Sequence, residues 1–236
     1  MDKREQIVSY GRRLHAAGLC PGTSGNLSIR DAATGEIFIS PSGVPYGEME
    51  AKDVSVLDAG GSPVPDSTRP SSEWQLHLAF YRAHPDTGAV VHTHAPFSTV
   101  FSVLRMPLKA VHYCIAPALA DPYDPADERG AEVPVAPYHT FGTVELAEEA
   151  VRVCGKKRAV LLANHGILTR GEDLASAVSL MEELEYLATL QYRAMAIGDV
   201  DPGMGVRPYV LTPQEMAQAV ERFSHYGQRP GEKKGY

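Results

Sequence analysis

Residues 87–96 read Thr-Gly-Ala-Val-Val-His-Thr-His-Ala-Pro, a β-branched run closed by a proline. Valine and threonine fit a pleated surface and Pro96 cannot continue a ladder, so residues 87–94 are predicted as a strand. Alternate side chains of a strand leave on one face, so His92 and His94 project together. Within an apolar run, two imidazoles need partners for their ring nitrogens. Their spacing lets both reach one metal ion. Two surface histidines on an edge strand are the plainer account of the same pattern.

A third imidazole follows a second apolar run. Residues 158–163 and 167–169 read as strands on either side of Asn164-His165-Gly166, and strand ends at a cleft commonly carry site residues. Taken alone, His165 is as readily a turn histidine serving the backbone. Residues 71–83 read as a helix capped by Ser71 or Ser72, with Pro85 barring its extension. Glu73 then lies in the first turn, where the helix dipole stabilises any carboxylate, and it is the candidate fourth ligand. Three histidines and a carboxylate suit Zn²⁺, with Mn²⁺, Co²⁺ or Fe²⁺ as substitutes. A glutamate ligand displaced by substrate opens a coordination position and frees a base.

The rest of the chain reads outward from these segments. Residues 2–18 form a helix, and 26–30, 36–40 and 54–57 are short strands between turn signals. Residues 109–115 read as a further strand and 120–137 as a loop. Residues 143–154 read as a helix capped by Thr143 with Gly155 past its end. Residues 173–197 are the longest helix, with an apolar stripe at Leu174, Val178, Met181, Leu184, Leu187 and Ala188. Thr212 caps a last helix over 213–223. The expected architecture is a single α/β domain over 1–236. Its mixed, mostly antiparallel central sheet is flanked by helices, and 227–236 form a loose tail.

Bulk properties exclude several function classes. The chain has 236 residues and a net charge of −7 without a basic stretch, which argues against nucleic acid as a partner. Cys20, Cys114 and Cys154 are an odd, sparse set, unlike a disulfide framework. The N-terminal segment is charged from its start and no apolar run is long enough for a membrane span, so a cytoplasmic protein with no membrane partner is expected. No Walker loop and no GxGxxG after a strand occur, so nucleotide cofactors are not indicated. Residues 22–26, residues 40–43 and the pair Ser71-Ser72 combine glycines and hydroxyls that can cradle a phosphate, although such segments are usually turns.

These motifs add up to a resemblance. The stretches GLCPGTSGNLSIR (18–30), ISPSGVPYGEM (39–49), RPSSEWQLHLAFYRAHPDTGAVVHTHAP (69–96), AVHYCIAP (110–117), VPVAPYHTFGT (133–143) and LLANHGILTRGEDLASAV (161–178) resemble the class II aldolase/adducin family, in its order. The resemblance implies zinc held by His92, His94, His165 and Glu73, with Glu73 also the catalytic acid/base. It implies a substrate phosphate on Gly25, Asn26, Ser42, Gly43, Ser71 and Ser72. Tyr113 becomes a second catalytic group, acting on a neighbouring subunit's metal, and Phe141, Phe223 and Tyr226 position the aldehyde half. The implied assembly is a homotetramer with sites at subunit interfaces.

The implied reaction splits a ketose 1-phosphate into dihydroxyacetone phosphate and a small aldehyde, through an enediolate whose charge a Lewis acid stabilises. Two other readings stay open. One is a relative acting as a decarboxylase of a phosphorylated keto sugar acid or as a pentulose-phosphate 4-epimerase. The epimerases carry Asp where Glu73 stands. The other is a non-catalytic adducin-like binding domain. Residues 118–132 are longer than the corresponding aldolase loop, and His139 beside Phe141 is an additional titratable group.

Overall fold

Strand β4 (Ala89–Thr93) is buried at every position and lies in the middle of a seven-stranded sheet. The computed structural model describes residues 2–120, 122–127, 130–200 and 207–224. Helix α1 (Lys3–Ala16) leads into β1 (Asn26–Arg30), β2 (Ile37–Ile39) and β3 (Ser55–Leu57). Helix α2 (Trp74–Ala83) precedes β4, and α3 (Pro96–Leu104) follows it. Short strands β5 (Leu108–Lys109), β6 (Glu132–Val133) and β7 (Val135–Ala136) lead to α4 (Val144–Cys154), β8 (Ala159–Leu162), β9 (Gly166–Gly171), α5 (Leu174–Val200) and α6 (Pro213–Ser224). The sheet order is β3-β2-β1-β4-β9-β8-β7, with β7 parallel to β8 and the other pairs antiparallel, as the sequence leads one to expect.

Strand alternation divides the core into two layers. Leu27, Ile29, Ala89, Val91, Leu161 and Ile167 pack on one side against Ile7 and Leu14 of α1 and the Leu174–Ala188 stripe of α5. Val90, Val160, Leu162 and Leu168 pack on the other against Leu76 and Phe80 of α2 and Leu146 and Ala150 of α4. Leu184 and Leu187 are fully buried, each contributing about 1.5–3 kcal/mol. Asn26 and Ser28 of β1 and His92 of β4 point toward the α2 side, where apolar residues fill the neighbouring positions.

Three local readings are corrected. The strand expected over 109–115 stops at Lys109, and Tyr113–Ala118 form a 3₁₀ helix instead. His112 initiates it, its Nδ1 accepting from the Cys114 N–H at 3.3 Å. A short apolar run does not by itself distinguish strand from helix. Residues 120–137 are not wholly loop, because β6 and β7 lie inside them. The helix predicted over 71–83 begins at Trp74, so Glu73 occupies the N-cap position rather than the first turn. The Thr143 and Thr212 caps form as expected: Thr143 Oγ1 accepts from Leu146 N, and Thr212 and Glu215 bond reciprocally. Tyr226 and residues 227–236 lie outside the described residues.

Candidate metal centre

His92 is fixed by the sheet itself. It faces Leu168 across the β4–β9 ladder, and its Nδ1–H donates to the Ile167 carbonyl at 2.9 Å. That bond selects the tautomer and leaves the Nε2 lone pair toward the cleft. His94 stands one residue beyond the end of β4, where Pro96 starts α3 at its first position. Glu185 of α5 holds that helix start, its carboxylate accepting from the N–H groups of Phe97 and Ser98 at 2.7 and 2.8 Å.

His165 sits in the tight turn between β8 and β9. Asn164 takes a left-handed conformation there (φ 55°), which asparagine tolerates better than most residues. The last turn of α3 pins the loop: Asn164 N donates to Ser102 O at 3.1 Å and His165 N to Ser102 Oγ at 3.0 Å. Arg105 Nε donates to Asn164 Oδ1 at 3.1 Å.

These elements bring the three imidazoles together. Their ring centroids are 4.7–5.0 Å apart, and their available nitrogens all lie within 4.8 Å of one another. Glu73 joins them, with Oε1 3.3 Å from His165 Nε2 and Oε2 3.4 Å from His92 Nε2. His92 Nε2, His94 Nε2, His165 Nδ1 and Glu73 Oε1 are buried without a hydrogen-bond partner among the described residues. Unpaired buried polar atoms cost about 1–3 kcal/mol each, and one nitrogen from each of the three rings together with the Glu73 carboxylate forms a donor set that matches a divalent cation.

Burial holds the pKa of His92 well below the ordinary imidazole value, reinforced by His165 and His94. Burial likewise lowers His94, assisted by His165, and lowers His165. The rings are therefore neutral near pH 7, the state in which they ligate metals.

A buried network behind Glu73 was not read from the sequence. Asn26 Nδ2 donates to Glu73 Oε2 at 3.0 Å, and Asn26 Oδ1 pairs with His77 Nε2. His77 Nδ1 lies 2.6 Å from Ser28 Oγ, which lies 2.7 Å from the Tyr81 hydroxyl. Its signal was present: on α2, His77 follows the N-cap residue Glu73 by four, and Tyr81 follows His77 by four. Ser28 follows Asn26 by two on β1. Those spacings align helix and strand positions on facing surfaces.

Burial, more than the nearby His92, pushes His77 down to about 3. The unfolded chain therefore takes up a proton near pH 6.5 that the folded chain refuses. This contribution to stability is complete above pH ~6.5 and is lost progressively as the pH falls toward about 3, at about 1.4 kcal/mol per unit. The three cleft histidines, also lowered, act in the same sense. We expect the denaturation midpoint of metal-free protein to fall between pH 7 and pH 4, and His77→Leu to flatten that slope. An equal slope in the variant would contradict the assignment.

One cleft of about 350 Å³ gathers most of the expected site residues. Gly25, Asn26, Ser42, Gly43, Ser71, Ser72, Glu73, His94, Phe141 and His165 line it, with Tyr138, His139 and Asn164. Ser71 Oγ accepts from Glu73 N at 3.3 Å. Asn26 spends one amide N–H on Glu73, which leaves its second for a ligand. Tyr113 and Phe223 are not brought to this cleft. Their rings meet at 6.0 Å beside a separate cavity of about 1050 Å³, and Tyr113 is 55% exposed. Tyr113 lies on a 3₁₀ helix, neither on a strand nor in the core.

Two glycines are required by close approach. At Gly25 (φ 79°) a Cβ would stand 2.7 Å from the His92 carbonyl oxygen. At Gly166 it would stand 2.3 Å from Thr93 O, 3.1 Å from His94 Cδ2 and 3.2 Å from His92 Cε1. Gly166→Ala is expected to push β9 away from β4 where the histidines converge, costing on the order of 1–3 kcal/mol through overpacking. Titration with a divalent ion should show weakened binding, and unchanged affinity would contradict the close-approach argument.

Comparison with known proteins places this geometry. Residues 5–192 match the model of the Class II Aldolase and Adducin N-terminal domain. The 5-deoxy-D-ribulose 1-phosphate aldolase of Bacillus thuringiensis serovar kurstaki is 38% identical over 227 residues, covering 96% of this chain and 98% of that one. The 5-methylthioribulose-1-phosphate/5-deoxyribulose-1-phosphate aldolase of Rhodospirillum rubrum is 36% identical over 224 residues, covering 95% and 92%. A solved L-fuculose 1-phosphate aldolase superposes with a TM-score of 0.84 at 38% identity, covering 94% of this chain and 96% of that one. This chain belongs to the class II aldolase and adducin family.

Proposed function

We propose that this protein is a zinc-dependent aldolase that cleaves a ketose 1-phosphate into dihydroxyacetone phosphate and a small aldehyde. One observation carries the reading: Glu73, His94 and His165 line one cleft with the glycine- and hydroxyl-rich segments, and buried His92 completes the histidine cluster beside them. The relatives named above act on 5-deoxyribulose, 5-methylthioribulose and fuculose 1-phosphates. These substrates have in common the phosphorylated ketose end.

His92, His94, His165 and Glu73 would hold the ion, and their unpartnered buried atoms support that role. When bound, a divalent ion supplies Lewis-acid stabilisation of negative charge beside a carbonyl. Ser42, Gly43, Ser71, Ser72, Gly25 and Asn26 bind the phosphate by hydroxyl, amide and backbone donors, which orients the substrate. Glu73, whose Oε1 has no hydrogen-bond partner among the described residues, moves the proton at the carbon next to the carbonyl. Phe141 and Tyr138, both exposed, line the cleft with His139 and form a rim against which the aldehyde half is positioned.

Tyr113 and Phe223, exposed or half-buried and away from the cleft of their own chain, serve the cleft of an adjacent copy in a homotetramer. Tyr226 joins them there in this reading. Three cysteines without a disulfide accord with a reducing cytoplasm.

The test is incubation of zinc-loaded protein with the three ketose 1-phosphates, coupling dihydroxyacetone phosphate to a reductase assay. Chelation should abolish the signal and zinc should restore it. Release of carbon dioxide from a phosphorylated keto acid, with no dihydroxyacetone phosphate from any ketose, would replace aldolase by decarboxylase.

A further inference from the structure

We propose that His77 is a positioning residue for Glu73: acting through Asn26, it commits one carboxylate oxygen to the protein and reserves the other for proton transfer. The inference deepens the aldolase reading and rests on it for the role of Glu73.

The chemistry of each group leaves a single direction for the chain of hydrogen bonds. The Asn26 NH₂ donates to Glu73 Oε2, so the Asn26 carbonyl oxygen faces His77. That oxygen only accepts, so His77 carries its proton on Nε2. His77 Nδ1 is then a lone pair and accepts from the Ser28 hydroxyl. Ser28 has spent its proton, so the Tyr81 hydroxyl donates to Ser28.

Every donor from Tyr81 onward thus points toward Glu73 Oε2. Oε1 receives nothing from this chain and stays buried without a hydrogen-bond partner among the described residues. The amide of Asn26 is held from both ends: turned over, it would set its oxygen against the Glu73 carboxylate and withdraw the donor that Oε2 receives. His77 supplies the second hold, since its N–H satisfies the buried Asn26 oxygen and a turned amide would also set two N–H groups against each other. His77 and Ser28 are completely buried and Tyr81 nearly so, so water does not substitute for a missing member.

The experiment pairs kinetics with a readout independent of turnover. His77→Leu keeps apolar volume and removes both ring nitrogens, whereas His77→Gln returns an N–H toward Asn26. At saturating zinc, His77→Leu is expected to lower kcat about 10- to 100-fold, the usual effect of losing a group that orients a site residue. KM should change little, and His77→Gln should recover most of kcat. A purely structural role would lower yield and stability without this kcat-specific loss and rescue.

In ¹⁵N-labelled metal-free wild-type protein, the His77 ring should show the Nε2–H tautomer. An Nδ1–H ring overturns the proposal even if His77→Leu fails to fold. So does wild-type kcat in a zinc-saturated His77→Leu protein, or His77→Gln as slow as His77→Leu. Should wild-type protein cleave none of the ketose 1-phosphates, the aldolase reading fails by itself, and the tautomer still decides the hydrogen-bond chain.

Discussion

Glu73→Gln is expected to lower kcat for ketose 1-phosphate cleavage ~10²- to 10⁴-fold, the range associated with loss of a positioned acid/base. Glutamine has nearly the same shape, and its carbonyl oxygen can still accept from Asn26 Nδ2, which lies 3.0 Å from Oε2 in the native site. The site is tightly enclosed, with Glu73 only 6% exposed, so a near-isosteric change leaves the surrounding packing intact. What disappears is a group able to take and return a proton. KM should move little, because phosphate binding rests on other residues. Metal content, measured alongside kcat, separates the two roles of Glu73. Slow turnover at full occupancy identifies the proton-transfer role. A variant within threefold of wild type at full occupancy would remove that role.

The second large effect is expected at His92. His92→Ala should abolish stoichiometric metal binding and reduce activity below detection. His92 is the most constrained of the three imidazoles: it is fully buried and its tautomer is set by the Ile167 carbonyl. Alanine leaves a cavity that neither β1 nor β9 can fill without giving up ladder bonds. Thermal unfolding gives a second, activity-free measurement. Zinc at a thousand times its dissociation constant stabilises a folded protein that binds it by about 4 kcal/mol. That zinc-dependent rise should be present in wild type and absent in His92→Ala. A variant that still gains stability from zinc would show that the ion sits elsewhere.

The legibility of the site in the sequence varied with how local each signal is. His92 and His94 could be paired from spacing alone, because two residues along one strand share a face whatever the strand packs against. Their company could not be read that way: His165 and Glu73 become neighbours only because β9 pairs with β4 and α2 lies over the same sheet face. The family resemblance supplied the grouping ahead of the structure. Physical patterning alone left each of these two residues with an ordinary alternative. His77 was passed over for the same reason. A histidine on an apolar helix face carries no mark of its partners until Asn26 and Ser28 of β1 are set opposite it.

By itself, the sequence determined that residues 89–93 form a strand, that helices flank a mixed sheet, and that turns or caps stand at Thr143, Asn164 and Thr212. Each follows from side-chain branching, hydrophobic period or a short-range hydrogen bond, which act over a few residues. Only the tertiary structure decided that Tyr113 lies on a 3₁₀ helix away from its own cleft, and that Glu73 stands at the N-cap position of α2, its carboxylate turned to the histidines, instead of in the first turn. It also decided that one oxygen of Glu73 is tied while the other is not. Those outcomes depend on which elements pack together, and packing is settled by the burial of surfaces far apart along the chain.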